Sequence, residues 1–208
     1  MAQRKVILWE VDAQVDFMLP EGNLYAPGAE KIIPRIAQLV KTATETGTLI
    51  VSSGDAHAQN DPEFKNFPPH CIAGTPGAQI IPEGLAQNFR TLPNDGSREL
   101  PRDILNSRQI ILEKQSLNVF DNPKANALIE RLPAETEFIV FGVVTEYCVQ
   151  FAAKGLLDRH RQVSIVKDAI EALSPEAARK SLVELQAQGA RLITTDEALH
   201  LLLVSTPS

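Results

Sequence analysis

The chain has 208 residues, a formal net charge of −6, 44% hydrophobic residues and 22% charged residues. That is enough for one compact domain with a substantial core, and the composition is ordinary for a globular protein. The acidic balance and the lack of a Lys/Arg cluster argue against nucleic-acid or acidic-membrane partners, no apolar run is long enough to span a bilayer, and two cysteines do not make a disulfide framework.

Met1-Ala2-Gln3-Arg4-Lys5 leads into an apolar run with no signal-peptide core, so a cytoplasmic address is expected. Residues 5–11 read as a strand ending at Asp12. Residues 28–46 carry a helical stripe of Ile32, Ile33, Ile36, Leu39, Val40 and Ala43, stopped by Gly47. A second strand, 48–52, runs into Ser53-Gly54-Asp55. Residues 55–107 hold half of the 14 prolines and read as a loop-rich insertion with only short elements. A loop region that long in a compact domain is usually functional or disordered. Regular structure resumes with a strand at 109–114, a helix at 123–131 and a strand at 137–142. A helix from about 145 to 160 follows, then a strand at 163–166, a helix at 175–188, a strand at 191–194 and a short last helix at 195–203. There is no internal repeat.

Strands apolar on both faces and alternating with helices predict an α/β fold. Its form is a three-layer α-β-α sandwich around a mostly parallel, Rossmann-like sheet, built as a single domain over 1–208. Such sheets bind ligands outside the carboxyl ends of their strands. Asp12, Asp55 with His57, Lys114 and Cys148 all fall at or just past such ends.

Cys148 is expected in the first turn of its helix, where free N–H groups favour a thiolate. Asp12 could take the thiol proton and return it to a leaving amine, and Lys114 could hold both groups by charge. Backbone N–H groups of Val144 and Cys148 are placed for an oxyanion. Taken singly, Cys148 reads better as a core residue, Asp12 as a cap and Lys114 as a solvated charge; their convergence on one rim favours catalysis. Asp55 and His57, two apart on an extended chain, face one way. With Glu63 and His70 nearby in sequence, they suit a divalent cation, zinc foremost and iron or manganese otherwise. Cys71, beside His70, reads as structural.

Five segments in order carry a resemblance: Val11-Asp12-Ala13-Gln14-Val15-Asp16-Phe17; Asp55-Ala56-His57; Phe67-Pro68-Pro69-His70-Cys71-Ile72-Ala73-Gly74-Thr75-Pro76-Gly77; Lys114; and Gly142-Val143-Val144-Thr145-Glu146-Tyr147-Cys148-Val149. Together they resemble the isochorismatase-like cysteine hydrolases, and within them the nicotinamidases, over about residues 5–195. The resemblance implies that Asp12, Lys114 and Cys148 form a catalytic triad, that Asp16 is structural, and that the Val143–Val144 peptide is cis. It implies Asp55, His57 and His70 as metal ligands, with Glu63 as the fourth and the metal seating a pyridine nitrogen. Phe17 and Phe67 would flank the ring, and Val143 and Val144 would border the substrate. The implied reaction is nicotinamide plus water giving nicotinate and ammonia, within NAD salvage, in a homo-oligomer.

Three departures bear on the substrate. Val144 stands where the family often has a smaller residue, Phe120 is the sole aromatic soon after Lys114, and Phe67 stands where tryptophan is frequent. The alternatives are a relative acting on a carbamoyl or ureido amide or on isochorismate, a silent scaffold, and a thiol redox protein. The Asp-x-His arm, the retained triad and the absence of Cys-x-x-Cys spacing weigh against these in turn.

Overall fold

The computed structural model describes residues 6–205. Lys5, expected to open the first strand, and the rest of the leading segment lie outside them. The elements are β1 (Val6–Val11), α1 (Val15–Met18), α2 (Ile33–Thr46), β2 (Ile50–Asp55), β3 (Phe89–Leu92) and β4 (Gln109–Lys114). Then follow α3 (Pro123–Glu130), β5 (Glu137–Gly142), α4 (Gln150–Asp158), β6 (Gln162–Ile170), α5 (Pro175–Ala187), β7 (Arg191–Ile193) and α6 (Thr195–Val204).

Seven strands form one sheet in the order β3-β4-β2-β1-β5-β6-β7, and every pairing is parallel. Strands buried on both sides need helices on both faces. One face buries Ile7, Trp9, Ile110, Leu112, Phe138 and Val140 under α3, α4 and α5. The other buries Leu8, Ile50, Ile139, Phe141 and Val166 under α2 and α6. This is the expected three-layer sandwich. Trp9 is its largest anchor, with ring centroids 5.9 Å from Phe120 and 5.7 Å from Phe138.

Two expectations change in detail. The stripe from residue 28 does not form one helix: Ala29–Ile32 make a 3-10 turn, and α2 begins at Ile33, with Pro34 in its first turn. Proline has no N–H to donate to a preceding turn, so it sits where helical bonding starts. Gly47 ends α2 at φ 73°, as expected. The insertion at 55–107 does contain the expected short elements, and one of them is the edge strand β3, whose first three residues are exposed.

Register sets up the site. Val11 lies level with Ser53 on one side and Gly142 on the other, and Asp55 lies level with Lys114. Four strands therefore finish side by side at one rim.

Candidate active site

Asp12 follows the last residue of β1 and takes φ 47°, a left-handed conformation that turns the chain away from the sheet. Its Oδ1 accepts from Ser53 Oγ at 2.6 Å, and its Oδ2 lies 2.9 Å from Lys114 Nζ. Lys114 also donates to Asp55 Oδ1 and lies 3.5 Å from Cys148 Sγ. All four side chains are at least nine-tenths buried. The thiol faces the Asp12 carboxylate.

Cys148 does not sit in the first turn of an ordinary helix. Gly142 ends β5 at φ 118°, where a Cβ would run into the backbone of Val11. The Val143–Val144 peptide is cis, as the resemblance implied. Thr145–Val149 then form a wide π-type turn, with Tyr147 outside helical geometry, before α4 begins. Such turns are frequent at functional sites.

The charges balance differently from the expectation of a free thiolate. Burial pushes the Cys148 thiol well up, the Asp12 carboxylate adds to this, and the Lys114 ammonium only partly opposes it. Burial also raises Asp12 against the pull of Lys114, with Asp55 adding repulsion. Burial would raise Asp55 too, but Lys114, His57 and His70 hold it well below the usual carboxylate range. Lys114 stays charged because its carboxylates outweigh its burial. The resting site thus holds a neutral thiol beside the Asp12 carboxyl group.

Asp55 joins this cluster to the arm. Its Oδ1 faces Lys114, while its Oδ2 lies 3.7 Å from His57 Nε2 and 3.8 Å from His70 Nε2. The three residues offer ligand atoms within 4.8 Å of one another, all buried. His57 is the test of whether a cation fits. Its Nε2 is buried and lacks a hydrogen-bond partner, a costly state that a cation there would relieve. A carboxylate and two imidazoles with open positions suit zinc, iron or manganese. Glu63 lines the same cavity as Asp55 and His70, and it forms a second grouping with His57 and Asp61.

That cavity, of about 100 Å³, opens over Cys148. Phe17 and Phe67 line it, their rings 5.4 and 6.4 Å from His70, and so do Val143 and Val144. Leu24, Leu117, Tyr147 and Leu173 complete the wall. Of these only Tyr147, inside the Cys148 motif, carried a sequence signal. Phe120 is not in the wall: it is buried against Trp9 with the Arg159 guanidinium 3.8 Å over its ring. Leu117 takes the cavity position that follows the lysine.

Sequence reading also missed the residues that brace the site. Gln14 donates from Nε2 to the carbonyls of Asp55 (2.8 Å) and Ala78 (2.7 Å), and its Oε1 accepts from Asp55 N–H at 2.7 Å. Asp16, read as structural, accepts from Cys71 N–H at 2.7 Å and Asn23 N–H at 3.0 Å. Gly77 lets it come close, since a Cβ there would overlap the Asp16 carboxylate. Cys71 is buried as expected, its thiol pushed up by burial and nearby carboxylates.

A parallel sheet with a buried thiol, carboxylate and ammonium at its carboxyl edge is the framework of a hydrolytic enzyme. The isochorismatase domain model matches residues 6–197, and the chain belongs to the isochorismatase family. It is 25% identical to the nicotinamidase of Escherichia coli (strain K12), over 93% of this chain and 96% of that one. It is 24% identical to the nicotinamidase of Saccharomyces cerevisiae, over 88% of this chain and 96% of that one. Among solved structures it is similar to the pyrazinamidase of Pyrococcus horikoshii in complex with zinc, with TM-score 0.73 and 26% identity, covering 91% of this chain and 99% of that one.

Proposed function

We propose that this chain is a metal-containing nicotinamidase. The observation that carries the reading is one apolar cavity lined both by Asp12 and Cys148, which Lys114 backs, and by Asp55 and His70, which group with His57. Asp12, Lys114 and Cys148 are the catalytic residues. On substrate entry Asp12 accepts the Cys148 proton, and the sulfur attacks the amide carbon. Backbone N–H groups of Val144 and Cys148 receive the developing oxyanion. The C–N bond then breaks, and Asp12 returns the proton to the departing ammonia. Water, giving a proton to Asp12, attacks the thioester carbon; the C–S bond breaks, nicotinate is released and the proton returns to sulfur. Lys114 keeps Asp12 and the sulfur in register by charge throughout.

Asp55, His57 and His70 would hold a divalent cation, with Glu63 on the wall of the same cavity and zinc favoured by the zinc complex of the Pyrococcus relative. When bound, the cation supplies a Lewis-acid seat for a ring nitrogen. Phe17 and Phe67 flank the ring, and Val143 and Val144 limit its bulk. The alternative substrates, a carbamoyl or ureido amide or isochorismate, have no ring nitrogen for the cation seat that Asp55, His57 and His70 offer.

The test is ammonia release by metal-quantified protein from nicotinamide, pyrazinamide, benzamide and an N-carbamoyl amino acid. Nicotinamide should exceed benzamide, which lacks the ring nitrogen, by at least about tenfold, the worth of one lost polar contact. Faster turnover of the carbamoyl acid would overturn the reading.

A further inference from the structure

The two histidines of the arm turn the same nitrogen inward by different means. His70 Nδ1 lies 2.8 Å from the carbonyl oxygen of Pro68, which can only accept. The proton of the neutral ring is therefore on Nδ1, leaving Nε2 a lone pair toward Asp55. His57 Nε2 also faces Asp55, but no carbonyl bonds its other nitrogen. Instead His57 Nδ1 lies 3.1 Å from Asp61 Oδ2, a hydrogen-bonding separation with the ring turned off the best line. Asp61 is itself pinned. Its Oδ1 accepts from Glu63 N–H at 2.9 Å, at the start of the 3-10 turn Pro62–Lys65 that carries Glu63. One carboxylate thus touches both His57 and the turn that presents Glu63.

We propose that Asp61 is a positioning residue of the metal centre: its carboxylate holds the His57 proton on Nδ1, so that Nε2 offers its lone pair beside Asp55 and His70. The inference rests on the metal reading given under Proposed function. A carboxylate behind a ligating histidine fixes the tautomer and ring angle and makes the imidazole a better donor. His70 has a neutral carbonyl in this place, so the Asp61 arm supplies the stronger hold. Asparagine cannot replace it. With its oxygen kept by Glu63 N–H, its NH2 would face His57 Nδ1 and favour the tautomer with a proton on Nε2.

Zinc affinity should be measured by competition with a chromophoric chelator for the full chain, Asp61→Asn and His57→Ala. The 15N spectrum of the His57 ring should be recorded with and without zinc. Asp61→Asn should bind zinc roughly 10–100-fold more weakly than the unaltered chain while keeping its far-UV circular dichroism, and His57 should carry its proton on Nδ1 only when Asp61 is present. Zinc affinity within twofold of the unaltered chain would overturn the inference, as would a His57 proton on Nε2 alone in that chain. If the unaltered chain takes up no zinc, the metal reading fails; the His57 spectrum of the zinc-free protein still decides the role of Asp61.

Discussion

Asp12, Lys114 and Cys148 stand at or just past the ends of paired strands, whereas His57, Glu63 and His70 stand on a segment with almost no regular structure. The first group is placed by sheet register: Asp55 beside Lys114, and Val11 between Ser53 and Gly142. A one-residue slip would reverse every side chain on a strand, so the buried pattern of the sheet fixes these positions firmly. The second group is placed by side chains standing in for a ladder. Gln14 pairs with the backbone of Asp55, Asp16 holds Cys71, and His57 makes an isolated backbone bridge to Ile72, with bonds to Cys71 and from Ala73. The thiol cluster should therefore survive changes that the metal arm does not.

The largest effect should come from removing the sulfur. Cys148→Ala should lower nicotinamide turnover by at least about 10⁴-fold, as loss of a covalent nucleophile does. Bound metal and melting temperature should stay close to those of the unaltered chain, because Asp55 contacts the arm independently of Cys148. Metal loss in this variant would mean that the two regions are one unit.

Next in size is a cut to the bracing of the arm. Asp16→Ala leaves the Cys71 and Asn23 N–H groups without their carboxylate partner. The cost should be on the order of 2–3 kcal/mol, a drop in melting temperature of roughly 5–10 °C for a chain this size. Metal content should fall and KM rise, while alkylation of Cys148 at fixed pH changes little. Equal loss of metal and of thiol reactivity would count against separate means of support.

The contrast also explains what the sequence could and could not disclose. Strand ends were legible because apolar runs such as Ile110-Ile111-Leu112 stop abruptly at a charged residue. β3 was not, because Phe89-Arg90-Thr91-Leu92 is short, lies at an edge and buries only its last side chain. The arm showed its ligand types through Asp55, His57 and His70 but not its supports. Gln14, Ser53 and Asp61 become meaningful only once the ends of β1 and β2 lie together. The turn at Cys148 was misjudged for a related reason. A helix N-terminus alone favours a thiolate, but burial and the Asp12 carboxylate, brought in from another strand, reverse the sign.

The last effect is on stability alone and concerns the sheet beneath the triad. Glu10, two residues before Asp12 on β1, is fully buried, accepting from Ser52 Oγ at 2.7 Å and Gln109 Nε2 at 3.1 Å. Burial outweighs these bonds and raises its carboxyl from 4.5 to about 8. Between those values the folded protein keeps a proton that the unfolded chain has released. Folding then takes up a proton, so stability falls as pH rises, by up to ~1.4 kcal/mol per pH unit, and the fall ends above about pH 8. Glu10→Gln keeps the shape and both acceptor bonds without a proton to lose. It should match the unaltered chain at pH 5 and exceed it increasingly toward pH 8, as read from the difference between denaturant-unfolding free energies across that range. A difference that stays flat from pH 5 to 8 would mean that Glu10 is already ionised inside the sheet.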